Sequence, residues 1–216
     1  MAIDYTAHAI NHKDNGTVVL IGSLGTTQEM WEPQVAALSE KYQVITPDVR
    51  GHGDSPIPEG EWDMSHLAAD IIEVLDEEDI DRAHFVGLSL GGAIAQTIAL
   101  EHADRVVSLT LSSTAPKFGT PEAWQEKAQL VRDKGTVALA DTVVRNWFTD
   151  ECFDTTPELA ARFRDMIADC PDDGYIGACG ALSRFDTRER LAEITAPTLV
   201  IAGKQDTSTS LDVVTS

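Results

Sequence analysis

Three glycines and a serine carry the first chemical signal of this chain. In Gly87-Leu88-Ser89-Leu90-Gly91-Gly92, a Gly-x-Ser-x-Gly spacing lies between the apolar runs His84 to Leu88 and Ala93 to Leu100. A strand that turns into a helix this sharply holds the corner residue in a strained conformation with its side chain outward. Flanking residues without a Cβ let the two backbones pass. Ser89 would then project at a helix N-terminus, where free N–H groups favour developing negative charge. The chemistry such a corner supports is attack of a hydroxyl on an acyl carbon.

A hydroxyl attacks well only when a base removes its proton and a carboxylate orients that base. On a strand–turn–helix site of this kind the partners follow in the order serine, acid, histidine. Asp206, just past the run Pro197 to Ala202, is the candidate acid, with a helix-capping aspartate as its other reading. Asp186 and Asp172 are weaker candidates. The oxyanion needs two backbone donors: the N–H of Leu90, and the N–H of Leu24 in the loop Ser23-Leu24-Gly25-Thr26-Thr27. The histidines are His8, His12, His52, His66, His84 and His102, so none follows Asp206. The pattern therefore reads as truncated, lacking a closing strand, two helices and the catalytic histidine, roughly 30 to 45 residues. The 216 residues alone are expected to show little triad catalysis.

The elements that must position these groups alternate. Ile3 to Ile10 reads as an edge strand, joined by a hairpin turn at Asn15-Gly16 to Thr17 to Gly22, a β-branched run suited to a buried central strand. Met30 to Leu38 follows as a helix, Tyr42 to Pro47 as a strand, and a helix capped by Ser65 runs to about Glu78. After the serine corner, Val106 to Ser112 is another buried strand. Strands alternating with helices imply a mostly parallel sheet with helices on both faces. Residues 116–192 read as helices alone: Pro121 to Asp133, Thr136 to Trp147, Pro157 to Ile167 and Tyr175 to Arg184. The expected organisation is a sheet-and-helix core at 1–115, a helical cap at 116–192 and a second, incomplete core piece at 193–216.

Composition narrows the partners. With 36 acidic and 16 basic residues the net charge is −20, which argues against nucleic acid or an anionic membrane. An anionic substrate would have to meet a local cation. Cys152, Cys170 and Cys179 have no metal-ligand spacing and read as reduced thiols of a cytoplasmic protein. No signal peptide and no bilayer-length apolar run is visible, and Gly-x-Gly-x-x-Gly and Gly-Lys-Ser/Thr are absent.

The chain resembles the α/β-hydrolases, and within them the enol-lactonases of the protocatechuate branch of aromatic degradation. The matching residues are Ser23-Leu24-Gly25-Thr26-Thr27 with Met30-Trp31, Asp48-x-Arg50-Gly51-His52-Gly53-x-Ser55, and the Ser89 motif. Arg145-x-Trp147-Phe148, Gly174-Tyr175 with Cys179-x-Ala181-Leu182, and Ala196 to Gly203 extend the match over nearly the whole chain. The resemblance implies hydrolysis of 3-oxoadipate enol-lactone, a small anionic lactone, by Ser89 with no metal or organic cofactor. It also implies that Arg145 and Trp147 face the substrate, Arg145 meeting its carboxylate; a solvated arginine and a core tryptophan are the alternatives. Lys117 and Arg184 are reserve cations. In this family the His52 loop is implied to brace the serine turn and not to supply the base. Hydrolysis of another ester, perhydrolysis and a non-enzymatic binding role stay open, as does the oligomeric state.

Overall fold

The computed structural model describes residues 2–214, so the final residues to Ser216 lie partly outside it. Six strands, β1 (Tyr5–His8), β2 (Thr17–Ile21), β3 (Gln43–Pro47), β4 (Ala83–Leu88), β5 (Val106–Ser112) and β6 (Thr198–Ile201), form one sheet in the order β1-β3-β2-β4-β5-β6. All pairings are parallel except β1 on β3. Every residue of β2 and β3 is buried, as expected of β-branched runs covered on both faces. The expected hairpin does not form. A 3-10 turn spans Ile10–Asn15, and β3 rather than β2 receives β1, with Tyr5 opposite Pro47.

The helices of the core are α1 (Glu32–Leu38), α2 (Met64–Glu77) and α3 (Leu90–Glu101). In α2, Leu67, Ile71, Val74 and Leu75 recur at helical spacing and all are buried in the main core. Its cap is Asp63, not Ser65. The Asp63 carboxylate accepts from the His66 N–H at 3.0 Å, and the His66 ring nitrogen accepts in turn from the Asp63 N–H. Ser65 instead donates to Glu101 at 2.8 Å. Helix α3 is buried along nearly its whole length, which its alanines and glycines permit.

Between β5 and β6 the chain adds α4 (Pro121–Lys134), α5 (Val137–Trp147), α6 (Asp150–Thr155), α7 (Pro157–Asp169) and α8 (Asp172–Arg184). α4 packs on α8 and α5 on α7. The α8 end rests on the core through backbone. A Cβ on Gly174 would overlap the Gly51 carbonyl, and one on Gly177 would enter the Trp62 ring. Beyond β6 comes the short helix α9 (Leu211–Val214). β6 is an edge whose Leu199, Val200 and Ile201 are 57%, 51% and 48% exposed.

Candidate active site

Ser89 is the residue between β4 and α3, with φ 55° and ψ −111°. A serine gains nothing intrinsically from that conformation, so its surroundings must impose it. Its N–H donates to the Ser112 carbonyl at 3.0 Å, tying the corner to β5. Its own carbonyl accepts from Gly92 N–H at 2.9 Å, Ala93 N–H at 3.1 Å and the Thr114 hydroxyl at 2.8 Å. A Cβ on Gly87 would overlap the Gly91 carbonyl, and one on Gly91 would overlap the carbonyl of Ile21. The first turn of α3 thus lies directly against the end of β2, where the Ser23–Thr27 loop departs.

That contact sets the helix turn that Leu90 opens against the strand end from which the Leu24 loop departs. Among the described residues the backbone N–H groups of Leu24 and Leu90 donate to no protein acceptor, although both side chains are buried. Bare amides in a buried setting are costly unless a ligand meets them. The loop carrying Leu24 is braced from β3: the Asp48 carboxylate accepts from the Gln28 N–H at 2.6 Å, and Gln28 reaches on to Asp4 at 3.0 Å. Burial pushes the Asp48 pKa up to about 6 and Asp4 adds to the rise, against the pull of the Gln28 bonds. The loop that carries Leu24 is thus supported, through Asp48, by the Asp48–Ser55 loop. Within it Arg50 grips Asp70 with two 2.6 Å bonds. His52 is buried, with its pKa pushed down to about 4 by that burial, and it does not line the cavity.

Ser89 opens into a cavity of about 720 Å³ whose walls include Trp31, Trp147, Phe148, Phe163, Lys204 and Asp206. Asp206 is brought to the site. Its carboxylate accepts from the N–H groups of Ser208 and Thr209, both at 2.8 Å, and from the Thr209 hydroxyl at 2.7 Å. Burial raises its pKa, but these bonds and one from Ser113 outweigh it and hold the carboxyl below the usual range. Trp147 is brought to the site too, edge-on to Phe163. Arg145 is not. It lies exposed on the other side of α5, its guanidinium 4.6 Å over the Phe153 ring. Lys117 pairs with Asp186, Arg184 bonds to the Trp62 carbonyl and faces Glu61, and Asp172 caps the N–H of Thr136. None of the six histidines lines the cavity. Sequence reasoning missed Lys204, a loop lysine that no local pattern marks. It also missed Ser113, which adopts φ 41° beside Asp206.

A strained serine, two bare amides at a strand end and an acid past a later strand, all on a parallel sheet, define a class. The chain belongs to the α/β-hydrolase family: a profile of the alpha/beta hydrolase fold matches residues 16–215. It is 39% identical over 203 residues to 3-oxoadipate enol-lactonase 1 of Acinetobacter baylyi, a span covering 94% of this chain and 76% of that one. The crystal structure of the enol-lactonase from Burkholderia xenovorans LB400 superposes with a TM-score of 0.94 at 37% identity, covering 98% of this chain and 81% of that one. A putative carbamate hydrolase RutD of Variovorax paradoxus is 31% identical over 95% of this chain and 79% of its own length.

Proposed function

We propose that the chain is built to hydrolyse 3-oxoadipate enol-lactone to 3-oxoadipate, a step of protocatechuate breakdown in the cytoplasm. Ser89 Oγ attacks the lactone carbonyl and the N–H groups of Leu24 and Leu90 receive the oxyanion. The ring C–O bond then breaks, the enol oxygen takes a proton, and the enol tautomerises to the ketone. Water hydrolyses the acyl-serine and releases the diacid. Asp206 would orient a base, and Trp147 would cover the ring of the substrate. The observation that carries this reading is strained Ser89 opening into a cavity that Ser23 and Asp206 also line, with the unbonded amides of Leu24 and Leu90 each one residue from that lining; the similarity to enol-lactonases supplies the substrate.

No imidazole lines the cavity among the described residues, so acylation is expected to be slow and to be rescued by imidazole in the buffer. A fluorophosphonate that reports labelling at Ser89 tests this. The expected result is slow labelling, accelerated by imidazole and lost in Ser89→Ala. Labelling indifferent to Ser89→Ala refutes the nucleophile assignment. One observation favours a second reading, hydrolysis of an uncharged ester: the cavity wall carries Asp150, Glu151 and Asp206. Equal turnover of neutral aryl esters and of the anionic lactone would support it.

A further inference from the structure

The cavity is acidic, yet the proposed substrate carries a carboxylate. Three carboxylates, Asp150, Glu151 and Asp206, stand against a single ammonium, Lys204, among the described residues that line it. An anion placed beside the carboxylates is repelled, and one placed beside the ammonium is held.

The state of the other cations sharpens the contrast. In a chain with more than twice as many acids as bases, eight of the cations outside the cavity have carboxylate partners, Arg50 and Lys117 among them, while Arg82, Lys127 and Arg132 are held by a carbonyl, an indole ring and an amide oxygen. Arg145 is turned onto Phe153 outside the cavity. Lys204 makes no ion pair or hydrogen bond within the described residues. The acid nearest to it in sequence, Asp206, already receives donors from Ser208 and Thr209. Lys204 thus brings an unspent positive charge to the cavity that contains Ser89.

We propose that Lys204 is the anchor for the substrate's free carboxylate and sets the preference for anionic over neutral lactones, an inference that rests on the lactonase reading above. The ammonium holds the carboxylate at the β6 side of the cavity while the lactone carbonyl lies over Ser89. Lys204 is the single cation among the described residues lining the cavity, so the same residue favours one way round for the lactone. Lys204 touches only the non-reacting end of the substrate, so its loss moves KM rather than kcat.

Binding can be read without turnover, using 5-oxotetrahydrofuran-2-acetate and its methyl ester as unreactive lactones in isothermal titration calorimetry. The wild-type chain is expected to hold the carboxylate form more tightly. Lys204→Gln is expected to weaken that form by about five- to tenfold at low ionic strength and leave the ester unchanged, whereas Arg145→Gln changes neither. In 1 M salt, where the screening length falls to roughly 3 Å, the wild-type preference should shrink. Lys204 is exposed on a loop, so the variant is expected to fold, and its unchanged affinity for the ester reports that directly. Equal loss of both ligands, no loss, or loss in Arg145→Gln instead overturns the anchor while the lactone site stands. If the wild type takes up neither lactone, the lactonase reading falls and adipate decides on Lys204 alone. Adipate bound by the wild type and lost in Lys204→Gln keeps the anion site; adipate unbound by the wild type removes it.

Discussion

Replacing Gly91 by alanine tests the claim that backbone contact between α3 and β2 assembles the site. The added methyl would overlap the Ile21 carbonyl, a backbone atom in a fully buried strand that cannot swing aside. Restoring van der Waals separation requires a shift of about 1 Å between the first turn of α3 and the end of β2. The shift separates the Leu90 amide and Ser89, which ride on α3, from the Leu24 amide, which follows β2. A misplacement of that size costs on the order of 100-fold in rate. Overpacking costs about 1–3 kcal/mol of stability, against about 1 kcal/mol regained from alanine's helix propensity. The assay is the imidazole-rescued labelling of Ser89, read beside urea unfolding. Gly180→Ala in α8 is the control, since its Cβ would meet only the flexible end of Arg184 at 3.7 Å. That variant is expected to be neutral or about 0.5–1 kcal/mol more stable, with labelling unchanged. Wild-type labelling in Gly91→Ala would refute the argument that this contact fixes the oxyanion geometry.

Three further outcomes follow from the same structure. The folded Asp48 carboxyl binds its proton more tightly than the unfolded chain does, so it adds stability below about pH 4 that is lost as pH rises through about 6. Asp48→Asn should remove that part of the slope, on the order of 1–2 kcal/mol across the window, in unfolding curves at pH 4, 5 and 6.5; an unchanged slope would exclude Asp48 as its source. Arg50→Ala leaves the Asp70 carboxylate, only 7% exposed, without its partner, and should cost about 3–5 kcal/mol by urea titration. A loss under 1 kcal/mol would show that water replaces the arginine. The apolar β6 edge should drive concentration-dependent association that Val200→Lys suppresses; sedimentation of the unmodified chain as a clean monomer at several hundred micromolar would contradict this.

Where the sequence was legible, one local rule sufficed. Val106–Ser112 is the strand expected of its β-branched run, and the buried face of α2 follows its apolar spacing. Gly-x-Ser-x-Gly specified its corner because the collision of Gly87 with Gly91 acts within five residues; the contact of Gly91 with Ile21 is the part that is not local. The failures concern distant partners. Nothing local in Ile3–Gly22 says that β3, over twenty residues on, will come between β1 and β2, so a turn-like Asn15-Gly16 looked like a hairpin. The α2 cap moved from Ser65 to Asp63 because His66 could answer Asp63, whereas Ser65 found Glu101 on α3. Arg145 and Trp147 are two positions apart on α5, a spacing that turns side chains to different faces. Trp147 therefore reaches the cavity and Arg145 does not. Lys204 was overlooked because a loop lysine has no periodicity; only the charge inventory of the finished cavity singles it out.

The seating of Gly174 on Gly51 sets how firmly the helices between β5 and β6 are held. At that seam main chain presses on main chain, so the α8 side of the roof is riveted to the floor. The opposite side is fastened by Arg162 of α7, which reaches Glu32 at 2.6 Å and Glu29 at 3.7 Å in full view of water. Exposed ion pairs of this sort yield easily to thermal motion and to dissolved salt. Of the two attachments the one through α7 is therefore the weaker, and added salt should loosen it while leaving the Gly174 seam intact.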